Sequence, residues 1–183
     1  MHTSTVLSVA ALLTLAACAN VRPSGGPSVS FINSLSFDNA VSGKRDGLRS
    51  AWPADKLARS AEAFPMGQVK LCDAAGRCKW GVLKARRNVR KAEQVPGGLA
   101  LELEVAVDVA RSHSAMMGSD QAAVTIPADV GALQAKSVQT RNLVLEYGKV
   151  VKIDFPYGVS YEMCAFRRDG AGQAMEKCEI GYF

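Results

Sequence analysis

The chain has 183 residues, of which 48% are hydrophobic and 21% are charged, and its formal net charge at pH 7 is +5. This balance is that of a globular protein with a real core, and it argues against a disordered or low-complexity chain. The length fits one domain, and no internal repeat points to a repeat architecture.

An uncharged apolar segment occupies residues 6–17. Its length is typical of the core of a signal peptide and well short of the ~20 apolar residues that a membrane-spanning helix needs. The segment ends in Leu15-Ala16-Ala17-Cys18, and this tetrapeptide resembles the lipobox of bacterial lipoproteins. The resemblance implies export, cleavage before Cys18 and acyl chains on Cys18 that hold the protein to a membrane, since two or more chains anchor stably.

The flank of this segment departs from the usual signal peptide, because residues 1–17 contain neither Lys nor Arg. Two alternatives stay open: a secreted protein in which Cys18 is incidental, and a cytosolic protein whose first segment is buried. The resemblance further implies sorting to the outer membrane, because no Asp follows Cys18, with the domain facing the periplasm or the cell surface. Residues 18–28, with two prolines and two glycines, predict a flexible tether before a single domain at 29–183.

Alternation with period two is clearest in residues 99–110, where every odd position is Leu or Val. This pattern is typical of a strand with one buried and one solvent-facing side. A turn signal at 95–98 precedes it, so we predict a hairpin with residues 78–90. If the hairpin is centred near Val95, four pairs face each other across it: Arg86 with Glu104, Asn88 with Glu102, Val89 with Leu101 and Leu83 with Val107.

Shorter patterns predict the other elements. Strands are expected at 28–37, 68–72, 142–147, 150–155, 159–167 and 174–182, and short helices at 53–64 and 128–135. Residues 111–119 are expected to form a loop, in which Met116 and Met117 either fill a core gap or form an adaptable contact surface. About eight strands with mostly hairpin links predict a mainly β fold, an antiparallel β-sandwich or barrel with one or two short helices.

Four cysteines follow Cys18, and export favours their oxidation. Each of two local pairs brackets a turn, which predicts the hairpin disulfides Cys72–Cys78 and Cys164–Cys178, although four cysteines allow three connectivities. A zinc site is the rival interpretation. The spacings C-x5-C and C-x13-C differ from the C-x2-4-C knuckles typical of structural zinc.

Basic residues are concentrated between positions 70 and 91, where eight Lys and Arg stand against one acid, Asp73. Such a surface could bind anionic envelope groups, namely lipopolysaccharide, cell wall or lipid headgroups. The candidate surface consists of Lys79, Lys84, Arg86, Arg87, Arg90 and Lys91. The alternative is a solvated strand face that is partly matched by Glu102 and Glu104, in which case the cross-strand pairs contribute only about 1 kcal/mol or less.

No catalytic signature is found. The histidine of the mature chain, His113, lies between two serines, and sequence neighbours do not present the geometry of a hydrolase triad. No EF-hand loop, P-loop or dinucleotide fingerprint occurs, so we expect no metal and no cofactor.

These observations lead to one functional hypothesis and two alternatives. The first is a non-enzymatic lipoprotein on the outer membrane that acts as a binding or assembly module for another envelope protein, through sheet edges and loops. The alternatives are a binder of anionic envelope ligands through the basic segment, and an envelope hydrolase with carboxylates clustered in a cleft. The membrane is an expected partner through the lipid anchor, and nucleic acid is not.

Overall fold

The computed structural model describes residues 27–117 and 120–181. The strands are β1 (Ser28–Asp38), β2 (Arg45–Pro53), β3 (Ala61–Ala63), β4 (Gly67–Cys72), β5 (Cys78–Val95), β6 (Gly98–Ala110), β7 (Ser112–Met117), β8 (Asp120–Thr125), β9 (Gly131–Ala132), β10 (Ala135–Glu146), β11 (Val151–Asp154) and β12 (Ser160–Arg168). The helices are α1 (Ala54–Leu57) and a 3-10 turn (Pro156–Gly158).

The strands form two sheets packed face to face. The smaller sheet has the order β11-β12-β1-β2, and the larger has the order β10-β6-β5-β3, with β4 and β9 also paired to β5. Among the strands of the described residues, all pairings are antiparallel except that of β9 with β5. A separate hairpin is formed by β7 and β8. The predicted mainly β fold, an antiparallel sandwich, is therefore confirmed.

The core lies between the sheets and is built by alternate residues of each strand. Phe31 and Leu35 of β1 are at most 1% exposed, as are Leu103 and Val105 of β6. Each fully buried side chain of this size contributes about 1.5–3 kcal/mol through the hydrophobic effect. The odd positions of β6 that alternate in the sequence are the ones that face this core.

The hairpin of β5 and β6 forms as predicted, but its register differs by two residues. Arg86 lies opposite Ala106, Asn88 opposite Glu104, Val89 opposite Leu103 and Leu83 opposite Val109. The cause is a turn confined to Pro96-Gly97, with Gly97 at φ +81°, together with a bulge between Val89 and Lys91. Because side chains alternate with period two, a shift of two residues leaves every side chain on its predicted face.

The predicted helix at 53–64 is limited to α1. The chain becomes extended at Ala58, Arg59 adopts a φ of +60°, and β3 follows. Pairing of β3 with β5 and burial of Phe64 replace further helical turns.

The second predicted helix, at 128–135, is wrong. Residues 131–132 form β9, and the Leu133 amide donates to the Trp80 carbonyl, so this segment completes the sheet. The Arg111 guanidinium donates to the carbonyls of Pro127 and Val130, which holds the segment in an extended turn.

Two further expectations are corrected. Residues 112–117 pair with 120–125 in a hairpin where a loop was predicted, and no apolar alternation in Ser-His-Ser-Ala signals this strand. The strand predicted at 174–182 is an irregular segment over its described part, with one bridge between Arg168 and Ala174. The segment covers the outer side of the smaller sheet, where Ile180 packs with Ile32 and Phe166.

Both predicted disulfides are present, Cys72–Cys78 and Cys164–Cys178. The first closes the hairpin of β4 and β5, because the two cysteines are directly paired residues. The second links β12 to the irregular segment and so fastens that segment over the smaller sheet.

Candidate functional site

Of the six residues in the predicted basic surface, five are exposed and one is buried. Arg87 has an exposed fraction of 0%, so its inclusion in a surface for anionic ligands is wrong. Its position has the same parity in β5 as the buried residues Leu83 and Val89, and this parity places it between the sheets. Lys79, Lys84, Arg86, Arg90 and Lys91 are exposed, as predicted.

Three of the exposed cations have carboxylate partners. Arg86 lies 3.7 Å from Glu104, Arg90 lies 3.5 Å from Glu102, and Lys91 lies 2.7 Å from Glu93. The hydrogen bond from Lys91 and its positive charge lower the pKa of the Glu93 carboxyl. These pairs reduce the net charge available to a ligand, and they match the alternative of a solvated strand face.

Buried Arg87 is the centre of a polar cluster between the sheets. Its guanidinium lies 3.5 Å from a Glu62 carboxylate oxygen and donates to the Asn33 side-chain oxygen at 3.2 Å. The same guanidinium stacks on the rings of Phe31 and Trp52, with its central carbon 5.5 and 5.2 Å from the two ring centres. Within the described structure, Arg87 Nε has no hydrogen-bond partner.

Tyr161 lies in the same interior and its hydroxyl has no hydrogen-bond partner in the described part of the chain. Burial raises the pKa of the Tyr161 phenol far above its usual value, and the positive charge of Arg87 acts in the opposite direction. A neutral phenol and a paired guanidinium are the states that a dry interior favours. We therefore interpret the cluster as a structural support that joins β1, β3 and β5.

A groove of about 340 Å³ lies on the outer face of the larger sheet, under the β7–β8 hairpin. Lys84 and Arg86 of the predicted set line it, together with Lys136, which sequence reasoning missed. Lys136 joins them because β10 lies beside β6, a pairing that residues 135–141 do not signal by apolar alternation.

His113 also lines this groove, and it lies in strand β7 where we expected a loop. Its side chain is 13% exposed, and its Nε2 lies 3.2 Å from the Asp108 carbonyl and 3.7 Å from the Asp108 carboxylate. The histidine thus fastens the hairpin to β6.

The clearest feature for recognition is the outer edge of β10. This strand has 12 residues and, among the described residues, forms a ladder with β6 alone, without a register shift. The Tyr147 amide donates to the Gly97 carbonyl. Because bonded pairs alternate in an antiparallel ladder, the odd residues of β10 bond to β6, and the even residues direct their amides and carbonyls to the open edge.

The side chains of the even residues lie on the outer face of the sheet. Two of them are exposed valines, Val138 at 49% and Val144 at 52%, and Thr140 and Asn142 stand exposed between them. An open backbone edge flanked by apolar side chains at alternate positions has the features of a surface for strand addition.

Some predictions lie outside the described residues. These are the signal peptide, Cys18 and most of the tether, and also the surroundings of the Met116 and Met117 side chains. Within residues 27–117 and 120–181 there is no group of three or more His, Cys, Asp or Glu that could hold a metal ion. The same part of the chain contains no helix with the length and apolar character needed to cross a membrane.

Comparison with known proteins finds no family model, no curated protein and no solved structure that matches this chain.

Proposed function

We propose that this protein is an exported lipoprotein, anchored through Cys18 to the outer membrane and facing the periplasm. There it acts as a non-enzymatic binding module for another envelope protein. Its partner contributes an extended segment that adds to β10 as a further strand. The single observation that carries this proposal is the unpaired edge of β10 among the described residues.

The edge offers both affinity and selectivity. Amides and carbonyls of four successive even residues, from Val138 to Val144, supply backbone hydrogen bonds to any extended peptide. The side chains provide selectivity, because a partner strand must cover Val138 and Val144 and avoid placing a positive charge beside Lys136. Lys136 and Arg141 also protect the free edge from indiscriminate pairing, as charged side chains commonly do.

The anchor is supported by the sequence Leu15-Ala16-Ala17-Cys18. Cys18→Ser should leave an unlipidated precursor when metabolic labelling with a fatty acid is followed by immunoprecipitation. A mature acylated product from that variant would refute the anchor and leave the proposal for β10 untouched.

In-cell photocrosslinking tests the binding role. The lipidated full chain carries a benzoylphenylalanine at Asn142, on the open edge, or at Lys152 on the edge strand β11 of the other sheet. We expect one dominant envelope protein to be crosslinked from position 142 and not from position 152.

Two substitutions at one position complete the design. Thr140→Pro removes an amide that points to the open edge and places a ring there, so the crosslink should disappear, whereas Thr140→Ala keeps the amide and should keep the crosslink. Equal crosslinking in both variants would contradict strand addition. Crosslinks only between two copies of this chain would replace the envelope partner by self-association.

A further inference from the structure

The groove beneath the β7–β8 hairpin has the composition of a small-molecule site. Its volume of about 340 Å³ lies at the lower end of the range of ligand pockets, roughly 300–1,000 Å³. Small or apolar residues form much of its lining, among them Ala63, Met66, Ala106, Ala115 and Val138. Because these side chains offer no hydrogen bonds, the groove suits a hydrocarbon chain.

The charged groups of the groove are mostly positive. Lys84, Arg86 and Lys136 stand against one carboxylate, Asp108, which has His113 Nε2 at 3.7 Å. The Lys84 ammonium donates to the Ser114 carbonyl at 2.9 Å and retains two further donors. In the described structure, neither Lys84 nor Lys136 has a carboxylate within 4.0 Å. The groove therefore has two cations without an ion-pair partner.

The pairing of strands explains why these two lysines occur together. Lys84 and Lys136 both lie opposite Asp108, one on each side of β6, and all three residues are on the outer face. Like charges on neighbouring strands are unfavourable, and the single carboxylate between them compensates only one. A bound anion would supply the second negative charge.

We propose that this groove binds a single-chain amphiphile with an anionic head, the head resting on Lys84 and Lys136 and the chain on the alanine and valine floor. The ligand is distinct from the polypeptide assigned to the edge of β10. A pocket of this size takes one chain, so the occupant is a monomeric amphiphile and not a bilayer surface.

Equilibrium dialysis with octyl phosphate below its micellar concentration tests the assignment. The lipidated full chain is held in nanodiscs of zwitterionic lipid, and uptake by empty discs is subtracted. Saturable binding is expected for octyl phosphate, whereas inorganic phosphate and octyl glucoside should bind at least about tenfold more weakly, because each lacks one half of the recognised chemistry. Equal binding of either compound would overturn the amphiphile assignment.

A matched pair of variants locates the binding. Lys84→Gln with Lys136→Gln should weaken octyl phosphate binding about tenfold or more and reduce its sensitivity to salt. Lys44→Gln with Lys56→Gln makes the same change in net charge at two exposed lysines outside the groove and outside the candidate basic surface, and should leave the affinity unchanged. Equal affinities of the two double variants would overturn the site, as would the absence of saturable binding by the unaltered protein.

Ala106→Phe supplies an independent test of the apolar floor. It fills the groove from β6 without altering charge, and it should abolish octyl phosphate binding while circular dichroism still reports the folded sheet. If that folded variant retains full affinity, the chain does not lie in the groove.

Discussion

At the scale of single residues, Arg87 lies fully buried between the sheets, 3.5 Å from a carboxylate oxygen of Glu62. It was predicted as part of a basic surface because five other cations surround it in sequence, yet its parity in β5 matches Leu83 and Val89 and points to the interior. The parity was available from the sequence. The ion-pair partner of Arg87 could not be predicted from the sequence, because Glu62 is 25 positions away and was expected in a helix.

The Arg87–Glu62 pair should be strongly coupled to stability. Glu62→Gln leaves a buried guanidinium without its anion, and we expect the free energy of unfolding to fall by about 3 kcal/mol. Urea denaturation followed by circular dichroism measures this change. The exposed Glu93→Gln is the control, with an expected change below about 0.5 kcal/mol. Similar values for the two variants would show that the pair has no structural role.

Tyr161 should limit stability at alkaline pH. The pKa of Tyr161 in the folded protein is raised above the unfolded value of about 10. Its contribution to the free energy of unfolding is therefore complete below about pH 10 and is lost as the pH rises from there towards the folded-state pKa. Tyr161→Phe should shift the midpoint of alkaline unfolding upward and remove the tyrosinate absorbance that accompanies unfolding. The hydroxyl of Tyr157 donates to the Gln134 carbonyl. The control variant Tyr157→Phe should retain the tyrosinate absorbance that accompanies unfolding. Ionisation of Tyr161 in the folded protein near pH 10 would be the contrary result.

At the scale of elements, the sequence predicts strands well where one face is uniformly apolar. β6 alternates throughout and was predicted nearly to its ends, whereas β7 and the first half of β10 lack apolar alternation and were missed. Backbone pairing positions such strands, and side-chain patterns do not report it. The same limit applies to the groove and to the open edge, because both depend on β10 lying beside β6.

The alternation of backbone bonds along β10 gives a test at this scale. Arg141→Pro removes an amide that bonds to β6, so it should destabilise the protein by about 2 kcal/mol more than Thr140→Pro, which removes an outward amide. Both side chains are exposed, so packing contributes little to the difference. Thermal and urea unfolding of the two variants measure it. A larger loss for Thr140→Pro would reverse the assignment of the free edge.

The two disulfides should differ in their contributions. Cys164 and Cys178 close the longer loop, with a separation of 14 residues against 6 for Cys72 and Cys78, and Cys164 is fully buried beside Ile180. We expect the replacement of both cysteines by alanine to lower the free energy of unfolding by about 4 kcal/mol for Cys164–Cys178 and by about 2 kcal/mol for Cys72–Cys78. Urea unfolding of the two double variants under oxidising conditions measures these losses. Equal losses would contradict the interpretation that Cys164–Cys178 fastens the C-terminal segment to the smaller sheet.

At the scale of the whole molecule, the two sheets are covered unequally. The outer side of the smaller sheet is covered in part by the C-terminal segment, with Ile180 buried against it. The larger sheet carries the groove on its outer face and the open strand β10 at its edge. The tether that the sequence predicts at residues 18–28 would allow that sheet to reach a partner near the membrane.

Amide hydrogen exchange along β10, measured by NMR, tests the central claim most directly. The full chain is compared alone and in the complex purified through the crosslinked partner. We expect the odd-numbered amides of β10 to be protected in both states, because they bond to β6. The amides of Val138, Thr140, Asn142 and Val144 should exchange quickly in the free protein and slowly in the complex. Protection of these four amides in the free protein, or their continued fast exchange in the complex, would contradict strand addition at this edge.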